Sequence, residues 1–112
     1  MLQPTLDRMF LALSDPGRRA MVERLSLRPA TVKQLAEPLG MRLPSAVKHL
    51  KVLEEGGLVA SRKRGRERTF RLQVEAMRTI SEWAHSREAA WHAAFDRLAA
   101  AMQEIDEEER QS

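Results

Sequence analysis

The most chemically distinctive stretch of the chain is Arg62-Lys63-Arg64-Gly65-Arg66-Glu67-Arg68, five positive charges and one negative in seven residues. Guanidinium and ammonium groups at this density neutralise phosphates, so the run fits a polyanion. Its plainer reading is a solvated charged loop, and only its place in the fold decides between the two. A second group, Ser45, Lys48, His49 and Lys51, offers a hydroxyl, an imidazole and two amines within seven residues. A third, His85, Glu88, His92 and Asp96, recurs at i, i+3, i+7 and i+11, which puts four groups suited to a divalent metal on one helical face. The chain has no cysteine, which excludes disulfides, thiolate catalysis and Cys-based zinc or redox sites. It has no Gly-rich phosphate loop, and no histidine stands beside a plausible nucleophile with an orienting acid. An enzyme is not expected, nor is a cofactor.

At 112 residues, 43% hydrophobic and 31% charged, the composition is that of one globular domain spanning 1–112. A domain of this size buries only about two-thirds of its unfolded surface, so self-association is a natural supplement to its core. The net charge of +3 conceals an asymmetry: residues 1–74 hold 15 Lys/Arg against 7 Asp/Glu, and residues 75–112 hold 4 against 9. A basic body with an acidic tail points to a polyanion on one face. Near the N-terminus the longest apolar run, Met9-Phe10-Leu11-Ala12-Leu13, is too short for a signal peptide's apolar region or a membrane span. The expectation is a cytoplasmic protein with no membrane partner.

The periodicity supplies the elements that must position these groups. Leu6, Met9, Phe10 and Leu13 recur at helical spacing after Pro4. Asp15-Pro16 reads as an N-cap followed by a first-turn proline, opening a second helix that ends near Arg28-Pro29. Thr31 and Gln34 have the capping-box spacing, and Gly40 is placed to cap a short third helix through Leu39. A fourth helix runs from Pro44 to Glu55, where Gly56-Gly57 stops it. Two short helices joined by a tight Gly-containing turn make residues 31–55 a helix-turn-helix. Leu58–Ser61 and Thr69–Leu72 then alternate like strands around the basic run, giving a hairpin over 58–73 with a cationic tip. From residue 75 to 107 the chain is helical, without proline or glycine. The fold class is mainly α with a small β-hairpin: a winged helix-turn-helix followed by a long C-terminal helix.

Projecting residues 43–55 at 100° per residue places Leu43, Ala46, Val47, Leu50 and Leu53 inward. Pro44, Ser45, Lys48, His49, Lys51 and Val52 then face outward. Lys and Ser can donate to guanine or to phosphate, and an apolar group can touch a thymine methyl, so this face suits the major groove of double-stranded DNA. The hairpin would supply phosphate contacts from Arg62, Lys63, Arg64, Arg66 and Arg68, setting affinity while the helix sets sequence preference.

The stretch Leu11-Ala12-Leu13-Ser14-Asp15-Pro16-Gly17-Arg18-Arg19 resembles the LADPTRR opening of the ArsR-type (arsenical-repressor-like) bacterial regulators. Leu43 to Glu54 followed by Gly57-Leu58-Val59 is similar to that family's recognition helix and its KHLKVLEEAGLV continuation. The resemblance covers roughly residues 5–75 in detail and the last helix in outline. It implies a homodimer, joined through the first and last helices, that binds a pseudo-palindromic operator and represses transcription by blocking polymerase. Three positions depart from the pattern: Arg42 stands where Ser often caps the recognition helix, Val47 where many members carry Ser, and Gly17 where Thr is common. Arg42 forfeits about 1 kcal/mol of capping and adds a candidate phosphate contact.

The family's cysteine motif for metals is missing from Thr31–Glu37, and its Asp-x-His…His-x-x-Glu/His zinc pattern is missing from the last helix. There, Met77, Ala84, Trp91, Leu98 and Ile105 fall every seven residues, with Ile80, Ala94 and Ala101 between them and Arg87 interrupting the second series. This is a coiled-coil-like seam. The expected dimer interface is Leu6, Met9, Phe10, Met77, Ile80, Ala84, Trp91, Ala94 and Leu98. The His85/Glu88/His92/Asp96 stripe lies away from the seam, so a solvated face is the favoured reading and a metal-responsive repressor the lesser one. Trp83, Trp91 and Phe95 are read as dimer or domain core, with the lining of a small-molecule effector pocket as the lesser reading. The acidic end, 104–109, is read as a frayed, solvated terminus. Against a sequence-specific repressor stand two rivals: non-specific nucleic-acid binding, which charge alone would produce, and a winged-helix protein-interaction module, for which the helix face is too polar and the wing too charged.

Overall fold

The computed structural model describes residues 5–112. The first three helices begin where a side chain accepts from an otherwise orphaned backbone N–H. Thr5 caps α1 (Leu6–Ala12), its hydroxyl accepting from the Arg8 N–H at 3.3 Å. Asp15 caps α2 (Pro16–Leu25), accepting from the Arg18 N–H at 3.1 Å with Pro16 in the first turn. Thr31 and Gln34 form the full capping box of α3 (Val32–Ala36): Gln34 N–H donates to the Thr31 hydroxyl at 3.3 Å, and Thr31 N–H to the Gln34 carbonyl at 2.9 Å. The exception is α4 (Leu43–Glu55), where Arg42 makes no side-chain cap.

The end of α4 is built as firmly as its beginning is not. Gly57 has φ +74°, the left-handed region that favours glycine, and this lets the chain reverse. The Leu58 N–H then reaches the Leu53 carbonyl at 3.0 Å and the Gly57 N–H the Glu54 carbonyl at 2.9 Å. That pair of bonds is the Schellman arrangement, and its accompanying apolar contact is supplied by Leu53 and Leu58, both fully buried.

After α4 come β2 (Val59–Arg64) and β3 (Glu67–Leu72), paired antiparallel from Val59↔Leu72 to Arg64↔Glu67. Gly65 and Arg66 form the two-residue turn. Positive φ at Gly65 alone gives it the type II′ pattern, which matches the twist of the strands. The sheet has a third strand that the sequence pattern does not predict, β1 (Ala30–Thr31), paired to β3 in the order β1-β3-β2. Two residues cannot display alternation. Thr31 serves both elements because an N-cap residue takes extended dihedrals, here φ −80° and ψ 166°. The last helix, α5, covers Val74–Gln111, longer at both ends than the expected 75–107. Helices α2 and α3 stop earlier than expected, at Leu25 and Ala36.

The chain forms two compact units, one ending at Ile80 and the other being Ser81–Ser112. In the first unit Met21, Leu35, Leu50, Leu53 and Leu58 are fully buried, with Val22, Leu25, Val59 and Phe70 around them. No buried side-chain polar atom among the described residues is left without a partner. Met9 is a correction: it is 5% exposed and belongs to this core, so it is not available to a second copy. Leu6, Met77 and Ile80 are also packed partly against the core. On α4 the inward side is Ala46, Leu50 and Leu53, while Leu43 and Val47, expected inside, are 46% and 54% exposed. Val52, expected outside, packs against the core instead. The buried side of the helix is therefore turned from the projection by roughly 30–60°, away from Leu43 and Val47 and toward His49 and Val52.

Asp15 makes one contribution to stability that depends on pH. The Arg18 backbone N–H holds the Asp15 carboxyl below its ordinary pKa of 3.8; burial opposes this, and the charges of His49 and Arg18 reinforce it. A carboxylate whose pKa is lower in the folded state stabilises above its unfolded value, and that contribution is lost as pH falls through the folded value. Asp15→Asn keeps an accepting oxygen without the charge. Its urea midpoint should fall less steeply than the wild type's as pH drops below about 4. Identical acid profiles would show that the Asp15 charge contributes nothing.

Candidate nucleic-acid interface

With α4 fixed by Ala46, Leu50 and Leu53, its solvent face carries Leu43, Pro44, Ser45, Val47, Lys48 and Lys51, all exposed. Among the described residues the side chains of Ser45, Lys48 and Lys51 engage in no hydrogen bond or ion pair. The helix therefore presents a hydroxyl and two ammonium groups free to donate, with Val47 exposed at one side of them. This is the mix that reads guanine edges, phosphates and thymine methyls. Val47 was missed as a member of this face because the projection puts it inside. Arg42, exposed at the helix start and uncommitted to capping, stands at the same end as Ser45.

His49 is not on that face. It is half-buried, with Nδ1 3.4 Å from Arg18 Nη1 and Nε2 3.7 Å from Asp15 Oδ2. The expectation that it points outward with Lys48 and Lys51 is corrected by these contacts, which come from α2 and its cap and could not be seen in the sequence of α4.

The hairpin's basic residues divide between the two faces of the sheet, because side chains alternate along a strand and paired residues share a face. Arg62 pairs with Thr69, Arg64 with Glu67 and Ala60 with Arg71, so Arg62, Arg64 and Arg71 lie together. With Pro29 and Thr69 they line a concavity of about 220 Å³. Lys63 pairs with Arg68 on the other face, where Arg68 Nη1 donates to the Ser61 hydroxyl at 2.8 Å. Arg66 is at the turn. Arg71 was absent from the expected set, although strand alternation with Arg62 and Arg64 signals it.

In the unit Ser81–Ser112 the helix carries Trp91, Phe95, Leu98, Met102 and Ile105 exposed, at i, i+4, i+7, i+11 and i+14. Exposed apolar stripes of this length commonly mark interaction surfaces. Ala84 is exposed and Ala94 half-buried. Trp83 meets Trp91 edge to face at 5.8 Å and 70°, and the Arg87 guanidinium lies 4.6 Å over the Trp83 ring. Arg87 thus interrupts the seam by stacking on its neighbour. Glu88 joins the two histidines, at 3.4 Å from His85 and 3.9 Å from His92, all on exposed side chains. Asp96 is outside this group, and among the described residues no three His, Asp or Glu side chains are gathered to hold an ion. In the first unit Phe10 is exposed on α1. No helix among the described residues is long and apolar enough to cross a membrane.

Comparison with known proteins agrees with this geometry. Residues 13–62 match the helix-turn-helix domain family. The chain is 42% identical over 76 residues to the HTH-type transcriptional regulator Rv2034 of Mycobacterium tuberculosis, covering 65% of this chain and 71% of that one. It superposes on the crystal structure of an ArsR family transcriptional regulator with TM-score 0.71 and 41% identity, over 78% of this chain and 96% of the other. The solution structure of a homodimeric winged helix-turn-helix DNA-binding domain from Mycobacterium bovis matches with TM-score 0.59 and 25% identity, over 74% of this chain and 82% of that one. Helices α3 and α4 with the β2–β3 wing, an unpartnered basic helix face and these relatives together establish that the chain belongs to the ArsR family of winged helix-turn-helix transcriptional regulators.

Proposed function

We propose that the protein is a homodimeric repressor that binds a pseudo-palindromic operator, acting as one DNA-binding domain without enzymatic activity or cofactor, in the cytoplasm. The observation that carries this reading is the uncommitted outer face of α4, with Ser45, Lys48 and Lys51 free of internal partners beside a wing of five Lys/Arg. Exposed hydroxyl and ammonium groups are held by water in the free protein and can exchange it for base edges and phosphates. Each protomer sets α4 in a major groove, where Ser45, Lys48, Lys51 and Val47 read base edges and Arg42 and Pro44 approach the backbone. Arg62, Lys63, Arg64, Arg66 and Arg68 neutralise phosphates. Two protomers joined through Phe10 and the apolar stripe of α5 would meet half-sites about one helical turn apart. Blocking polymerase at such a site gives repression. Trp83, Trp91 and Phe95 are the candidate lining for a small apolar effector, which would act by changing the spacing of the two reading helices.

The division between helix and wing is tested by measuring affinity against salt for two sets of variants. Arg64→Ala with Arg66→Ala should weaken binding to every duplex and reduce the salt slope by about one for each phosphate no longer neutralised. Ser45→Ala with Lys48→Ala should lower discrimination between operator and random duplex, by about 1–3 kcal/mol for each base-edge hydrogen-bonding group removed. Wing variants that change base preference, with helix variants that do not, would reverse the assignment.

A further inference from the structure

His49 stands two residues from Lys51, which on a helix is about 160° around the axis, so the two cannot serve one groove together. Its surroundings are specific. The Arg18 guanidinium donates through Nε to the Ala12 carbonyl at 2.6 Å and through Nη2 to the Leu11 carbonyl at 3.2 Å, satisfying the end of α1. Its remaining arm, Nη1, lies 3.4 Å from His49 Nδ1. Guanidinium has no lone pair to offer, so in the neutral ring this contact favours Nδ1 as the acceptor with the proton on Nε2. Nε2 is the atom directed at Asp15 Oδ2, 3.7 Å away, the same oxygen that caps α2. Space for this approach depends on Gly17: a Cβ there would lie 2.9 Å from Asp15 Oδ2 and 3.3 Å from His49 Nε2.

We propose that His49 is a positioning residue, through which Arg18 and Asp15 fix the rotation of α4 and so determine which bases its outer face reads. The inference rests on the reading of α4 as the base-reading helix. Apolar packing by Ala46, Leu50 and Leu53 holds α4 down but is non-directional. The imidazole's two polar neighbours, Arg18 at 3.4 Å and Asp15 at 3.7 Å, instead tie one side of α4 to α2 and its cap. Rotating a helix by about 20° moves groups at its side-chain radius of 5–6 Å by about 2 Å. Base-edge hydrogen bonds do not tolerate a displacement of that size. Asp15 and Arg18, which precede α3 and α4 in the chain, therefore belong to the specificity of α4.

The test has two arms. On DNA fragments selected by the wild type, His49→Ala and Arg18→Ala should each lower the ratio of specific to random-duplex affinity by roughly tenfold, spread over several positions of the site, with the salt slope unchanged. His49→Gln, whose amide offers one acceptor and one donor, should restore most of the ratio. Loss of preference at one base pair only, with Arg18→Ala having no effect, would make His49 a direct base contact and overturn the proposal. The second arm needs no DNA. In the free, full-length protein the His49 ring nitrogens should show Nε2 protonated and Nδ1 accepting, a pattern lost in Arg18→Ala with the helical circular dichroism retained. A ring averaging between tautomers, as for a free histidine, would overturn the proposal even if DNA reading by α4 stands. Failure of selection alone, with the ring pattern present, would count against the DNA reading and leave the bracket intact.

Discussion

Trp91→Glu is expected to convert the protein to a monomer in sedimentation and to remove most of its operator affinity. Trp91 is 42% exposed within an exposed apolar stripe that continues through Phe95, Leu98, Met102 and Ile105. An aromatic side chain buries about 150–250 Å² when covered, at about 25 cal/mol per Å². Replacing it with a carboxylate loses that term and adds the cost of an unpaired charge in an apolar seam. The effect on DNA follows from linkage. A dimer presents its second α4 at an effective concentration of roughly millimolar, so losing the partner costs on the order of 10²–10⁴ in affinity while every DNA-binding side chain stays in place. Circular dichroism should remain helical, since the side chain is exposed in the single chain. An unchanged dimer mass would remove Trp91 from the interface.

Leu53→Ala should be the most destabilising of the single truncations in α4. Leu53 has no exposed surface, and its carbonyl and side chain both meet Leu58 where the chain turns into the wing. Large-to-small changes at such sites cost about 2–5 kcal/mol, a large part of the roughly 5–15 kcal/mol that holds a typical domain together. The thermal midpoint should fall by roughly 10 °C or more. Leu43→Ala is the matched control, because the helical projection puts both leucines inside while Leu43 is 46% exposed. Its cost should stay within about 0.5 kcal/mol. Equal losses at the two positions would mean that the rotation of α4 is wrong, and the composition of its reading face with it.

These two leucines also mark what the sequence could and could not reveal. The order of elements was legible because each boundary carries its own local chemistry: Asp15-Pro16, the Thr31/Gln34 box, Gly56-Gly57 and the proline-free run after residue 75. The wing was legible from alternation and from Gly65 between two basic arms. What was not legible depends on partners distant in sequence. Strand β1 exists only because Ala30 and Thr31 meet Phe70 and Thr69, and two residues carry no period. The phase of α4 was missed because its apolar residues span more than half the circumference, and only tertiary packing chooses among them. Met9 looked like interface because it lies beside Phe10, yet the core of its own chain takes it. His49 looked like a DNA ligand because its partners, Asp15 and Arg18, lie more than thirty positions upstream.

The most direct measurement is selection of genomic DNA fragments by the purified protein at near-physiological salt with excess competitor DNA. Recovery of one or a few inverted-repeat sites, with half-sites about one helical turn apart, is the expected result. Recovery of fragments sharing no site would mean that phosphate charge alone drives binding, and would contradict a sequence-reading role for α4.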